Sequence, residues 1–202
     1  MPYIFIHGLG QNSSSWDKML SLMTQPIPTV CPDLFGLLNN KEVTYENLYD
    51  AFAEYCNNIS GPLNLCGLSL GGVLALNYAI DYPTKVQSLV LISAQYKMPK
   101  KLLKFQNIIF RLMPEVAFKS MGIKKRDCIG LISSMIDLDF TKKLNNISCH
   151  TLIICGSKDG ANKKAAKKLA HNISKSQLHL IKKTGHEVNI EAPEKLVSIL
   201  RL

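Results

Sequence analysis

The sequence predicts an α/β fold in which short buried strands open into glycine loops and alternate with helices. Three observations predict it. Apolar runs at residues 3–6, 63–66 and 151–155 each end in a glycine-containing turn. The stretches between strand candidates read as helices, and residues 97–146 break the alternation over a length that exceeds a simple connection.

Each element follows in order. Tyr3-Ile4-Phe5-Ile6 reads as a strand entering His7-Gly8-Leu9-Gly10, and a second short strand at 28–32 is bracketed by prolines. Proline cannot donate to a ladder, so this strand suits a sheet edge. A helix is expected at 45–57. Gly61-Pro62 then punctuates the entry to the strand at 63–66, and the helix that begins at Leu70 stops at Asp81-Tyr82-Pro83. After the interruption, the strand 151–155 runs into Gly156-Ser157-Lys158-Asp159-Gly160 and a helix at 163–172. A strand at 177–181, the loop Thr184-Gly185-His186-Glu187 and a helix at 193–200 complete the chain.

The chemistry centres on Gly67-Leu68-Ser69-Leu70-Gly71. A serine held in a tight turn between strand and helix is forced into an unfavourable backbone conformation. Glycines at 67 and 71 remove the Cβ atoms that would clash there. The helix N-terminus behind Ser69 adds a dipole and free N–H groups that favour a developing oxyanion. Such a pattern arises by chance in roughly one chain of this length in fifteen, so partners are required.

A serine hydroxyl needs a base, usually histidine, and the histidine needs a carboxylate to hold its tautomer. Both occur downstream at strand ends, where open α/β sheets place their chemistry. His186 is the candidate base, because His150 and His179 fall beside or inside strands and His171 lies on a lysine-rich helix. Asp159 is the candidate acid, although it also suits the cap of the next helix, and Asp137 and Asp139 compete from within the interruption. The N–H groups of Leu9 and Leu70 are candidates for an oxyanion hole, with His7 and Gly8 as structural members of that loop. A non-catalytic binding module that keeps the pocket is the competing class of function.

With these segments in hand, the chain resembles the α/β-hydrolase superfamily over nearly its full length, in its serine carboxylesterase type. The oxyanion loop at His7, the elbow Gly67 to Gly72, the acid loop at Asp159, and Gly185-His186 with Glu191-Ala192-Pro193-Glu194 match in order. Trp16 and Pro32-Asp33-Leu34-Phe35-Gly36 are weaker echoes. The resemblance implies a mostly parallel, doubly wound sheet of about six strands with the 28–32 strand at its edge, since two usual leading strands have no counterpart. It implies a core at 1–96 and 147–202 and a small helical cap at 97–146. It also implies two-step acyl transfer by Ser69, His186 and Asp159. At Leu37-Leu38-Asn39-Asn40 the chain departs from the usual glycine-serine turn.

No cofactor is expected, because the chain lacks a P-loop, a dinucleotide fingerprint and a metal-ligand cluster. No stretch approaches the roughly 20 apolar residues of a membrane span. The N-terminal run lacks a basic region and a cleavage site, so the chain is expected to be mature from Met1 and cytoplasmic. The six cysteines form no C-x-x-C pair and read as reduced core thiols.

The net charge of +9 is concentrated. Residues 97–146 carry eleven Lys or Arg against four Asp or Glu, a net +7. Lys100, Lys104, Arg111, Lys124, Lys125 and Arg126 are the candidate surface for an acidic partner. Acyl carrier protein is one such partner; anionic lipids, coenzyme A esters or no specific partner fit the charge equally well, and nucleic acid is not expected. Pimeloyl-acyl-carrier-protein methyl ester esterases look similar in their G-x-S-L-G-G elbow and basic cap, which implies an ester or thioester of a carrier-bound acyl chain as an alternative substrate. Leu102, Phe105, Ile109 and Leu112 share one helical face expected to roof the pocket, and Met98, Met113, Met121 and Met135 are expected to pack the cap.

Overall fold

A computed structural model describes residues 1–119 and 122–202; Met121 lies outside them. Six strands form one sheet in the order β2-β1-β3-β4-β5-β6, and every pairing is parallel. They are β1 (Tyr3–Ile6), β2 (Thr29–Val30), β3 (Leu63–Leu68), β4 (Val86–Ile92), β5 (His150–Gly156) and β6 (Ser176–Ile181). As expected, the strand between the two prolines is an edge. It contributes only two paired residues, Thr29 and Val30.

Parallel strands are covered on both faces, so their sequences run apolar without alternation. All six residues of β3 are buried. One face packs under helices α2 (Tyr45–Asn57), α3 (Leu70–Asp81) and α7 (Gly160–Asn172), with Phe52, Leu74, Tyr78 and Leu169 in that core. The other packs under α1 (Asp17–Ser21), α8 (Val188–Glu191) and α9 (Pro193–Leu200), where Trp16 lies against Phe5 with ring centroids 5.2 Å apart. The helix α3 is buried on every side from Leu70 to Ile80, consistent with a sequence that is apolar there except at Asn77.

The chain between β4 and β5 forms α4 (Lys100–Leu112), α5 (Val116–Lys119) and α6 (Lys125–Met135). Its ends are pinned together where the Met98 N–H donates to the Leu138 carbonyl at 3.0 Å and the Phe140 N–H to the Tyr96 carbonyl at 2.8 Å. Phe118, Ile123, Cys128 and Ile132 give it a small apolar centre of its own. Asn107 on α4 is buried and donates to Ser133 on α6, which sets the rotation of α4. With that face turned inward, Phe105, Ile109 and Leu112 point to solvent rather than over the cavity, contrary to the expected roof.

All six cysteines are thiols. Burial pushes Cys155 and Cys128 up to about 11 and Cys56 to about 12, so these side chains are neutral core hydrophobes at physiological pH. At the departure from the family turn, Asn39 and Asn40 take left-handed φ values of 47° and 69°. Asparagine tolerates that region better than other side chains, and the turn is made without glycine.

Candidate active site

The turn from β3 into α3 holds Ser69 at φ 52° and ψ −113°. It is fixed from both sides, since its N–H donates to the Ile92 carbonyl at 2.9 Å and its carbonyl accepts from Val73 at 3.0 Å. The flanking glycines are sterically required. A Cβ at Gly67 would stand 2.3 Å from the Gly71 carbonyl oxygen, and one at Gly71 would stand 2.2 Å from that of Ile6. Gly71→Ala is therefore expected to cost about 2–3 kcal/mol of stability, read as a lower urea midpoint with an unchanged slope.

Asp159 closes β5 and starts α7. Its two carboxylate oxygens do different things: Oδ1 accepts from the Asn162 backbone N–H at 3.2 Å, capping the helix, while Oδ2 lies 2.8 Å from His186 Nδ1. Helix cap and histidine partner, which sequence reasoning set against each other, are the same residue. The cap also explains why α7 begins at Gly160, earlier than the expected 163. Burial pushes the carboxyl up, but hydrogen bonds from His186 and Asn162 outweigh it and bring the pKa down to about 2. A carboxylate so held requires the proton on His186 Nδ1 and leaves Nε2 as the basic atom.

Asn162 was not legible as a site residue. Its Nδ2 donates to both oxygens of Asp159 at 2.9 Å, and its Oδ1 accepts from Gln95 Nε2 at 2.8 Å. The Gln95 bond fixes which way the amide points. Nδ2 also lies 3.1 Å from His186 Nδ1, but both atoms carry protons directed at the same carboxylate, so this is proximity rather than a third hydrogen bond. No sequence motif marks Asn162; only its position one helical turn after Asp159 hints at the contact.

His7 has a different role. Its Nε2 accepts from the Leu34 N–H at 3.1 Å, so Nδ1 carries the proton and donates to the Gly8 carbonyl at 2.9 Å. Burial holds its pKa below the ordinary histidine value. It is a neutral tie between the loop after β1 and the Asp33-Leu34 segment. Gln11 and Asn189 make a second tie, joining the Gly8 loop to the histidine loop: Gln11 Nε2 donates to Glu187 at 2.9 Å and Asn189 Nδ2 to Gln11 Oε1 at 3.3 Å. Behind His186, the Gly185 N–H donates to Glu191 at 2.7 Å.

These elements enclose a cavity of about 470 Å³. Ser69, Asp159 and His186 line it together with Leu9 and Leu70, whose N–H groups were the oxyanion candidates. The Leu70 N–H lies in the first turn of α3, where helical N–H groups have no intrahelical acceptor. Among the described residues no hydrogen bond joins the Ser69 hydroxyl to the His186 ring; contacts of this kind commonly tighten only around a substrate. Leu102, Leu103, Gln106 and Phe110 of α4 and Ile132 and Met135 of α6 form the far wall. Residues 37–40 do not line it. The volume and apolar wall suit an acyl chain.

The other candidates fall elsewhere. Asp139 pairs with Lys97 at 2.7 Å and Asp137 with Lys100, both away from the cavity. Of the proposed acidic-partner surface, Lys100 is thus engaged, and Lys125 donates to the Arg111 and Met113 carbonyls, joining α6 to the end of α4. Lys104, Arg111, Lys124 and Arg126 are exposed and form no ion pair among the described residues.

Comparison with known proteins agrees with this architecture. Residues 3–199 match the Alpha/beta hydrolase family. Three uncharacterised mycobacterial proteins, including one from Mycobacterium tuberculosis, are 30% identical over 54% of this chain and 32% of theirs, so the chain spans about a third of the length of those relatives. A pimeloyl-[acyl-carrier protein] methyl ester esterase of Wigglesworthia glossinidia brevipalpis is 32% identical over 71% of this chain and 54% of that protein. Among solved structures, the enol-lactonase from Burkholderia xenovorans LB400 superposes with a TM-score of 0.84 at 16% identity, covering 100% of this chain and 92% of that one. An esterase from Thermogutta terrifontis gives 0.78 at 21% identity, covering 100% and 88%. With its six-stranded parallel sheet, its strained serine turn and a family match across almost the whole chain, the protein belongs to the α/β hydrolase family.

Proposed function

We propose that this protein is a serine hydrolase that cleaves a carboxylic ester of an acyl substrate. The observation that carries the reading is the Asp159–His186 hydrogen bond of 2.8 Å in the cavity that also exposes Ser69. Ser69 attacks the carbonyl carbon, and His186 Nε2 takes its proton. The tetrahedral oxyanion is held by the N–H groups of Leu9 and Leu70. His186 then gives the proton to the leaving alcohol, and water attacks the acyl-enzyme by the same route. Asp159 holds the imidazole and stabilises its charged form, and Asn162 holds Asp159. Residues 97–146 act as a small cap that supplies the apolar wall against the acyl chain.

A fluorophosphonate probe tests the reading directly. Labelling should fall on Ser69 and vanish in Ser69→Ala. A folded wild-type protein that stays unlabelled would favour the binding-module alternative. The similarity to the Wigglesworthia protein supports a second reading, an acyl-carrier-protein-linked ester. Comparing a carrier-linked ester with its free methyl ester over a salt series separates the two, since only the carrier is steered by charge.

A further inference from the structure

Ten large apolar side chains are exposed among the described residues, and six of them lie between positions 102 and 116: Leu102, Phe105, Ile108, Ile109, Leu112 and Val116. Phe105, Ile108, Ile109 and Leu112 recur at i, i+3, i+4 and i+7, so they form one continuous face of α4. They are well exposed, with Phe105 at 60%, Ile108 at 58% and Leu112 at 82%. Scattered exposed leucines need no explanation, whereas an apolar patch of this continuity marks a contact surface.

The borders of the face are unlike one another. Lys101 lies one turn before Phe105 on the same side, and Lys104 and Arg111 run along the edge next to Ile108, four residues before and three after it. All three are exposed, and Glu115 is the single acid from position 100 to 119. On the opposite edge stands Leu102, which is 48% exposed and also lines the Ser69 cavity. An apolar path therefore runs from the outer face over Leu102 to Leu103 and Phe110 inside.

We propose that α4 docks this protein onto an anionic phospholipid surface, with Phe105, Ile108, Ile109 and Leu112 buried in the acyl boundary and the flanking bases among the headgroups. Charge complementarity selects this occupant. A second copy would bring two insertions of net charge +7 face to face. An acidic carrier protein would neutralise the bases yet leave the apolar face in water, and a protein interface needs a density of hydrogen bonds that these side chains do not offer. An amphipathic helix with lysines at its boundary meets the requirements of a lipid interface: apolar burial, and long basic stems that reach back to phosphate. The docking does not depend on the catalytic reading. Its corollary, that the substrate is a lipid ester entering over Leu102, rests on the ester-hydrolase function proposed above.

The test is co-sedimentation of the full chain with phosphatidylcholine vesicles with and without phosphatidylglycerol. Binding should require phosphatidylglycerol and weaken with salt. Phe105→Gln with Leu112→Gln should lower partitioning by about tenfold or more. Lys104→Gln and Arg111→Gln should each lower it by about fivefold, on the anionic vesicles only. None of these four residues lines the cavity, so the thermal midpoint and turnover of a short water-soluble ester should stay at wild-type values. Equal partitioning of wild type and the apolar double variant, or indifference to phosphatidylglycerol, would overturn the proposal. So would a wild-type dimer that the double variant dissociates, or acyl carrier protein binding that the double variant abolishes. Vesicle binding is read without turnover, so a failed ester assay leaves this result standing on its own.

Discussion

Ser69→Ala is expected to lower kcat for a p-nitrophenyl ester by about 10⁴-fold or more, and His186→Ala by a similar factor, with the double variant little worse than either. In the proposed mechanism, nucleophile and base act on one proton. Without Ser69 there is no covalent route, and without His186 the hydroxyl keeps its proton and remains a poor nucleophile. Residual rate over water would come from the Leu9 and Leu70 N–H groups and from binding in the cavity. Steady-state kinetics with active-site titration measures this, and wild-type turnover in either single variant would remove the assignment.

The next largest effect is expected at Asp159, where Asn should cost about 10³–10⁴-fold in kcat with little change in KM. An amide in that place directs a donor at His186 Nδ1, which favours the wrong tautomer and withdraws the charge that stabilises imidazolium. Asp137→Asn is the control. That carboxylate sits on the surface paired with Lys100, and its loss should leave turnover within about twofold. If the two results were exchanged, the acid would be misassigned.

Asp159 also predicts a pH dependence of stability. Its folded pKa, about 2, lies below the ~3.9 of an unfolded aspartate. The unfolded chain therefore binds the proton first as pH falls. The stabilisation is complete above pH ~4 and is lost as pH drops towards about 2. Urea midpoints across that window should fall for the wild type, and less steeply for Asp159→Asn.

Much of this was legible because it depends on local pattern. Strands buried on both faces write themselves as apolar runs, and a strained serine turn demands glycine wherever backbones approach within a Cβ radius. Hence β1, β3, β5 and the elbow could be read directly, and the edge position of β2 followed from the resemblance and its prolines. Helix α7 was placed three residues late, because its start depends on the carboxylate of Asp159 and no apolar residue marks it.

What the sequence by itself determined is the parallel α/β frame that brings strand ends to one edge, together with Ser69, His186 and Asp159 as the candidates on which the proposed chemistry rests. Tertiary structure alone decided how those groups are held and which way the insertion faces. Asn162, Gln95 and the Gln11–Asn189 tie are polar residues without a motif, recruited because chain folding brings their amides within hydrogen-bond reach of the site. The rotation of α4 is the clearest case. An amphipathic pattern states that a helix has an apolar face and leaves open what covers it. In this protein, Asn107 on Ser133 and the packing of Leu103 and Phe110 turn that face outward to solvent.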